Sequence, residues 1–138
     1  MSPTSRISTA TWNIRSFGLS DKKRHSLISS VLYSLKLDFI TLQDIIPKQT
    51  STLPTPSLNC LAQDLLHSNF PNVIASMYVA FIPMSPRITI KNHCFLNDDL
   101  PEEEHGQILQ VDILMDEIAP LRVIAVYLLP KNADKPFR

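Results

Sequence analysis

The chain has 138 residues, of which 44% are hydrophobic and 19% charged, so it can fold around its own core and is not a disordered protein. Thirteen basic residues balance thirteen acidic ones, which excludes a protein that coats nucleic acid non-specifically. It does not exclude an enzyme that binds a single phosphate group at a local site. The only glycines are Gly18 and Gly106, so a glycine-rich phosphate loop is excluded.

The first 44 residues predict a strand, a helix and a second strand. The first strand covers residues 7–14 and ends before a turn at Gly18. Ser20 is expected to cap the helix, with Asp21 in its first turn. The inward face of this helix is predicted from apolar residues at helical spacing. These residues are Leu27, Ile28, Val31, Leu32 and Leu35.

The second predicted strand is the apolar run from Asp38 to Asp44, which ends on a carboxylate. Two strands joined by a helix form a βαβ unit, whose parallel strands end at the same rim of a sheet. We therefore expect Asn13 and Asp44 to share that rim, where ligands usually bind in such sheets. The alternatives are a turn role for Asn13 and a loop or helix-cap role for Asp44.

Other ionisable groups favour structural interpretations. Lys22, Lys23 and Arg24 are expected to form a solvated helix face, with a polyanion contact as the alternative. The acidic stretch over residues 97–106 is predicted to be a solvated hairpin loop, because its spacing matches no calcium loop. Structural or solvated roles are predicted for every histidine. The histidines are His25, His67, His93 and His105.

The remaining chain predicts one more helix and then strands. A Pro- and Ser-rich loop over residues 47–57 leads into a helix that Ser57 caps. Four strands are then predicted from β-branched and aromatic enrichment. They cover residues 73–82, 87–95, 108–115 and 121–129.

The last predicted strand is apolar on both faces. One face carries Leu121, Val123, Ala125 and Tyr127, and the other carries Ile124, Val126 and Leu128. Both faces need cover: one can meet helices, and the other needs a second sheet or a further layer. A face left uncovered predicts self-association.

The cellular compartment of the protein and the state of its cysteine thiols are predicted from features that the sequence lacks. Residues 1–5 are polar and give no signal peptide, and no run is long enough to span a bilayer. Cys60 and Cys94 are too far apart for a metal-binding pattern, so we predict reduced, buried thiols. Together these features indicate an intracellular protein, nuclear or cytoplasmic, with no membrane partner.

Several segments of the chain occur in an order that is typical of one family. Thr11-Trp12-Asn13-Ile14 precedes Gly18, and the run Asp38 to Asp44 follows. The later segments are residues 79–90, 105–112 and 123–127. In this order they resemble the opening of the endonuclease/exonuclease/phosphatase superfamily, above all its non-LTR retrotransposon endonuclease branch.

The resemblance implies a fold and an activity. The fold would be α/β, the N-terminal half of a four-layered α/β sandwich of the DNase I type, with a mixed sheet and flanking helices. This partial domain would cover residues 6–132, after a polar tail at residues 1–5 and before a truncated end at residues 133–138. The activity would be that of a hydrolase: Mg²⁺-dependent attack on a phosphoester, with DNA as the partner.

The resemblance also implies site residues. Asp44 stands at the position of the family's metal-binding glutamate, and Asn13 at that of an asparagine that helps to hold metal and phosphate. Tyr127 stands at a tyrosine that borders the site. The family's Asp-x-Asn and Asp-His motifs are absent, so we expect the isolated chain to be inactive. The alternatives are a non-catalytic relic that serves as a binding module and a small-molecule phosphatase of the same fold.

Overall fold

The structure, a computed structural model, describes residues 6–48, 51–116 and 118–128. Within these ranges the chain is a mixed α/β fold with two sheets and two α-helices. The elements are β1 (Thr9–Asn13), α1 (Lys22–Ser34), β2 (Phe39–Gln43), α2 (Thr55–His67), β3 (Ile74–Ala75), β4 (Val79–Pro83), β5 (Ile88–Phe95), β6 (Ile108–Met115) and β7 (Ile118–Val126). The predicted tail at residues 1–5 and the predicted end at residues 133–138 lie outside the described residues.

The first sheet has the strand order β1-β2-β4-β3. Strands β1 and β2 are parallel and in register, with Asn13 opposite Gln43, which confirms the predicted parallel pair. Strand β4 is antiparallel to β2, so the sheet is mixed, as predicted. The carboxyl ends of both parallel strands, at Asn13 and Gln43, lie at the same end of the sheet. We call this end, with the residues that follow each strand, the β1–β2 rim.

The second sheet has the order β5-β6-β7 and is antiparallel throughout. Its strands β6 and β7 contact β4 of the first sheet. The four residues from Val79 to Ile82 are fully buried, as expected for a strand that is covered on both faces. Phe39 and Phe81 stack in this core with ring centroids 5.0 Å apart. The fold is therefore held together around β4.

The alternation predicted for the last strand is confirmed, although its boundaries were wrong. Strand β7 begins three residues before the predicted start at residue 121, and the predicted last residue, 129, lies outside the described residues. Ala125 is buried, whereas Ile124 and Val126 are 53% and 43% exposed. Leu128, just beyond the strand, is 63% exposed. No described element covers this outer face.

The prediction of a five-residue inward face on α1 was wrong. Only Ile28 and Leu32 are buried, and Leu27, Val31 and Leu35 are exposed. The apolar spacing therefore predicted a wider buried face on α1 than the folded chain has. The cap prediction also fails by one residue, because the Asp21 carboxylate accepts the Arg24 N–H at 3.0 Å.

Two further boundaries differ from prediction. Helix α2 begins at Thr55 rather than after Ser57, because Pro56 lies in the first turn, where its missing N–H costs nothing. The predicted strand over residues 73–82 is divided into β3 and β4 by a turn. The Ser76 hydroxyl makes that turn by accepting the N–H groups of Tyr78 and Val79 at 3.1 and 3.2 Å.

Both cysteines are exposed, so the prediction of buried thiols was wrong. Cys60 lies on α2 and Cys94 on β5. The acidic stretch forms a connection with a single 3₁₀ turn at Glu102–Glu104, in keeping with the loop prediction. Neither described helix has the length and hydrophobicity that a bilayer span requires.

Candidate active site

The backbone joins Asn13 and Asp44 at the β1–β2 rim. Beyond the last strand residues, the Ile14 N–H donates to the Gln43 carbonyl oxygen at 3.1 Å. The Ser16 N–H then donates to the carbonyl oxygen of Asp44 at 2.8 Å. The two chain segments therefore leave the sheet side by side, and the shared rim expected from the sequence is found.

Tyr127 lies directly after β7, the last strand of the second sheet. Its N–H donates to the Gln107 carbonyl oxygen at 2.9 Å, and its ring stacks on Tyr78 with centroids 6.1 Å apart. Burial raises the pKa of the Tyr127 phenol, and the negative charge of Asp44 raises it further. Of the three residues predicted for the site, Asn13 and Asp44 share the β1–β2 rim, and Tyr127 is linked to them by the effect of the Asp44 charge on its pKa.

The rim holds an unusual amount of backbone strain. Arg15, Ser16 and Asp44 have φ values of 55°, 102° and 61°. Side chains other than glycine rarely adopt such angles, and each instance costs about 1–3 kcal/mol. Lys36, at the end of α1, is the other non-glycine case in the described residues. Strain concentrated in this way is typical of sites where function fixes the backbone.

The carboxylate of Asp44 is partly buried beside a cation. Burial raises its pKa above the ordinary value, and the positive charge of Arg15 partly offsets that rise. No helix begins at Asp44 in the described chain, so the helix-cap alternative is wrong for this residue.

Asn13 makes the turn that the alternative interpretation predicted. Its side-chain oxygen accepts the Arg15 N–H at 3.1 Å, which is an Asx turn. An amide oxygen has two lone pairs, so Asn13 retains one acceptor position for a cation.

Arg24 is a site-supporting residue that the sequence did not reveal. Its Nε donates to the Ser16 carbonyl oxygen at 2.7 Å, and its Nη2 donates to that of Ile14 at 2.9 Å. The guanidinium therefore clamps the strained segment between β1 and α1. For Arg24, unlike Lys22 and Lys23, the predicted solvated face was wrong. The sequence signal for this role was that Arg24 is an arginine next to two lysines, because a guanidinium can donate hydrogen bonds to two acceptors at once.

The histidines have structural or solvated environments, as predicted. His25 stacks on Phe17 at 4.4 Å, and its Nε2 contacts the Gly18 carbonyl oxygen. The Nε2 atom of His105 lies 3.1 Å from the Leu100 carbonyl oxygen. His67 and His93 are exposed on α2 and β5.

The β1–β2 rim carries two side chains with oxygen donors, Asp44 and Asn13. Among the described residues, no three His, Cys, Asp or Glu side chains cluster as a metal site would require. Mg²⁺ is often held by one or two carboxylates and completed by water and substrate phosphate oxygens. Asp44 and Asn13 could supply the protein's share of such a shell.

Comparisons with known proteins add no assignment. No protein-family model matches the chain, and no curated protein matches it significantly.

Replacing the carboxylate of Asp44 tests its environment. Because its pKa is raised in the folded state, the native chain is favoured at low pH and loses stability as pH rises through that pKa. We expect Asp44→Asn to be more stable than the native chain at pH 7, by about 0.5 kcal/mol for a partly solvated group. The gain should vanish near pH 3, as urea unfolding at several pH values will measure. Asparagine also tolerates the positive φ of this position.

Asp112→Asn is the matched control, with the opposite sign. The Arg122 guanidinium donates to the Asp112 carboxylate at 2.8 Å and lowers the pKa of that group. Its removal should leave the protein less stable at pH 7, and this deficit should shrink as pH falls through that pKa. Equal pH profiles for the two variants would contradict the environment assigned to Asp44.

Proposed function

We propose that the β1–β2 rim is part of a Mg²⁺-dependent phosphodiesterase site of the DNA endonuclease type, within a DNase I-like fold. One observation carries the proposal: two parallel strands deliver Asn13 and Asp44 to one strained rim. The order of the segments that resemble the endonuclease/exonuclease/phosphatase superfamily supports it independently.

Each residue has a role in this proposal. The Asp44 carboxylate and the Asn13 amide oxygen would hold the cation, which would supply stabilisation of negative charge on the phosphoryl oxygens. The positive charge of Arg15, near Asp44, attracts the phosphate. The Tyr127 hydroxyl stays protonated at neutral pH, since its pKa is raised, and can donate to a phosphate oxygen.

Isolated chains are expected to bind the cation without cleaving DNA. In the described residues, no three His, Cys, Asp or Glu side chains cluster, and Arg15 is the charged group that acts on the pKa of Asp44. Supercoiled DNA in Mg²⁺ should therefore stay intact. Nicking that a chelator abolishes would show that this residue set is sufficient and that our account of it is incomplete.

Mn²⁺ titration followed by NMR tests the cation site directly. Mn²⁺ should broaden the amide signals of residues 13–16, 44–46 and 127 before those of the second sheet. Asp44→Asn should weaken this binding at least about 10-fold, because even residues that only support metal ligands commonly contribute that much. Asp44→Glu should retain binding, since its longer carboxylate reaches the same rim.

Asp112→Asn is again the matched control, because Asp112 is an aspartate of the second sheet that pairs with Arg122. It should leave Mn²⁺ affinity unchanged. Broadening that follows Asp112 instead of Asp44, or that covers all acidic loops equally, would contradict the proposal.

A binding module is the second candidate function, and the outer face of the second sheet favours it. Ile124, Val126 and Leu128 are all exposed on this face. Exposed apolar patches of this kind usually mark surfaces that contact a partner. A non-catalytic domain that binds a partner through this face would need no cation at the β1–β2 rim. Wild-type affinity for Mn²⁺ in Asp44→Asn would favour this candidate.

A further inference from the structure

The outer edge of β1 has no partner strand in the described residues. On its inner side, the Ile14 N–H bonds to Gln43, and the Ser8 carbonyl oxygen accepts the Asp38 N–H at 2.7 Å. In a parallel ladder, alternate residues bond to the same neighbour, so the residues between these point their backbone groups outward. The outward residues are Thr9, Thr11 and Asn13.

Apart from its modest length of five residues, this edge lacks the features with which proteins usually prevent strand addition. Natural edge strands are short, charged, bulged or interrupted by proline. The segment Thr9–Asn13 contains no charge and no proline, and its pairing with β2 is regular. Trp12 is 38% exposed on it. The opposite edge of the sheet, β3, has only two residues and offers little to pair with.

Helix α1 exposes apolar side chains on the same side of the molecule. The Tyr33 hydroxyl donates to the Asn69 carbonyl oxygen at 2.9 Å, so that flank of α1 faces the end of α2. Helix α2 in turn contacts β3, at the far edge of the sheet. With 100° per residue, Leu27 and Val31 lie on the opposite flank, towards the β1 edge. They are 64% and 38% exposed.

We propose that two copies of this chain associate through β1, antiparallel about a twofold axis at Thr11. In this register Thr11 faces the partner's Thr11, and Thr9 faces the partner's Asn13. All outward backbone groups then pair, giving about six hydrogen bonds between the strands. The two sheets become one continuous sheet of eight strands.

A second copy fits this edge because its side-chain pattern is self-complementary. In the same register the large Trp12 lies opposite the partner's small Ala10, and the reverse pair forms on the other side of the axis. The exposed flanks of the two α1 helices approach the same axis, so Leu27 and Val31 gain cover. The formal charge of zero adds no long-range repulsion between copies.

Sedimentation equilibrium of the full chain tests this pairing. We expect a mass near twice 15.6 kDa for the native chain. Thr11→Pro removes an outward N–H without touching the β2 ladder, and it should give the monomer mass. Thr11→Lys sets two like charges opposite each other on the axis and should also give the monomer. Leu27→Glu should weaken association at least tenfold.

Thr11→Val is the matched control. It loses the hydrogen bond that the Thr11 hydroxyl accepts from Gln43 at 2.7 Å, yet it keeps the backbone N–H, so it should remain dimeric. Circular dichroism will verify that each variant is folded. If Thr11→Pro does not fold, the mass of Thr11→Lys is the measurement that tests the pairing. A native chain that stays monomeric at its highest soluble concentration overturns the proposal. So does a dimer that survives both substitutions at Thr11, or one that Ile124→Lys on the second sheet dissociates instead.

Discussion

Gly106→Ala is expected to lower the free energy of unfolding by about 3 kcal/mol or more. An added Cβ would lie 2.7 Å from the Cβ of Ser76 and 3.0 Å from both polar atoms of the Asn59 side chain. These neighbours cannot withdraw cheaply. The Ser76 hydroxyl donates to the Gly106 carbonyl oxygen at 2.6 Å, and Asn59 accepts the Met77 N–H at 3.0 Å.

The backbone of Gly106 adds a second cost. Its φ is 101°, outside the range that L side chains adopt without strain. Gly18→Ala is the matched control, because its φ of 87° imposes similar strain while the nearest atom, the Asp21 Cβ, lies at 3.3 Å. We expect a loss of about 1–2 kcal/mol there. Urea unfolding followed by circular dichroism measures both variants. Equal losses would mean that the Ser76 contact relaxes freely.

The consequence for the candidate site is indirect but measurable. The carbonyl oxygen of Gln107, next to Gly106, accepts the Tyr127 N–H, so a displaced Gly106 moves the segment after β7 that contains Tyr127. In Gly106→Ala the amide signal of Tyr127 should shift further than that of Asn13, which the first sheet holds.

Local patterns in the sequence were sufficient to predict the elements and the rim. Strand β2 is a short apolar run bounded by charge, and a helix between two strands implies parallel pairing. The expected placement of Asn13 and Asp44 needed only those two facts. The alternation of β7 was equally local, so it was predicted correctly although the strand boundaries were not.

Features that depend on tertiary contacts could not be predicted in this way. Periodicity gives the apolar side of α1, but only the position of the sheet decides that Ile28 is buried and Leu27 is not. The turn at Ser76 depends on a hydroxyl that also bonds to Gly106, thirty residues away. Strain at Asp44 has no sequence signal, because aspartate is ordinary in loops.

Arg24→Met is expected to lower the free energy of unfolding by about 2 kcal/mol, because two hydrogen bonds from a charged donor are lost. Methionine keeps most of the aliphatic stem, so packing changes little. The carbonyl groups of Ile14 and Ser16 lose their clamp, and the strained backbone between β1 and α1 can relax. Because Asn13 and Arg15 lie in or beside this segment, Mn²⁺ affinity should fall together with stability.

Lys23→Met is the matched control for that experiment, since Lys23 is exposed in the same turn of α1 and should change stability by less than about 0.5 kcal/mol. Arg24→Lys separates charge from geometry. An ammonium group cannot reproduce a planar fork that reaches two carbonyl oxygens at once, so lysine should recover only part of the loss. Full recovery by lysine would show that charge near the rim, rather than the clamp, is what the segment requires. If Arg24→Met is less stable but binds Mn²⁺ as tightly as the native chain, the hydrogen bonds of Arg24 contribute to folding and not to cation binding.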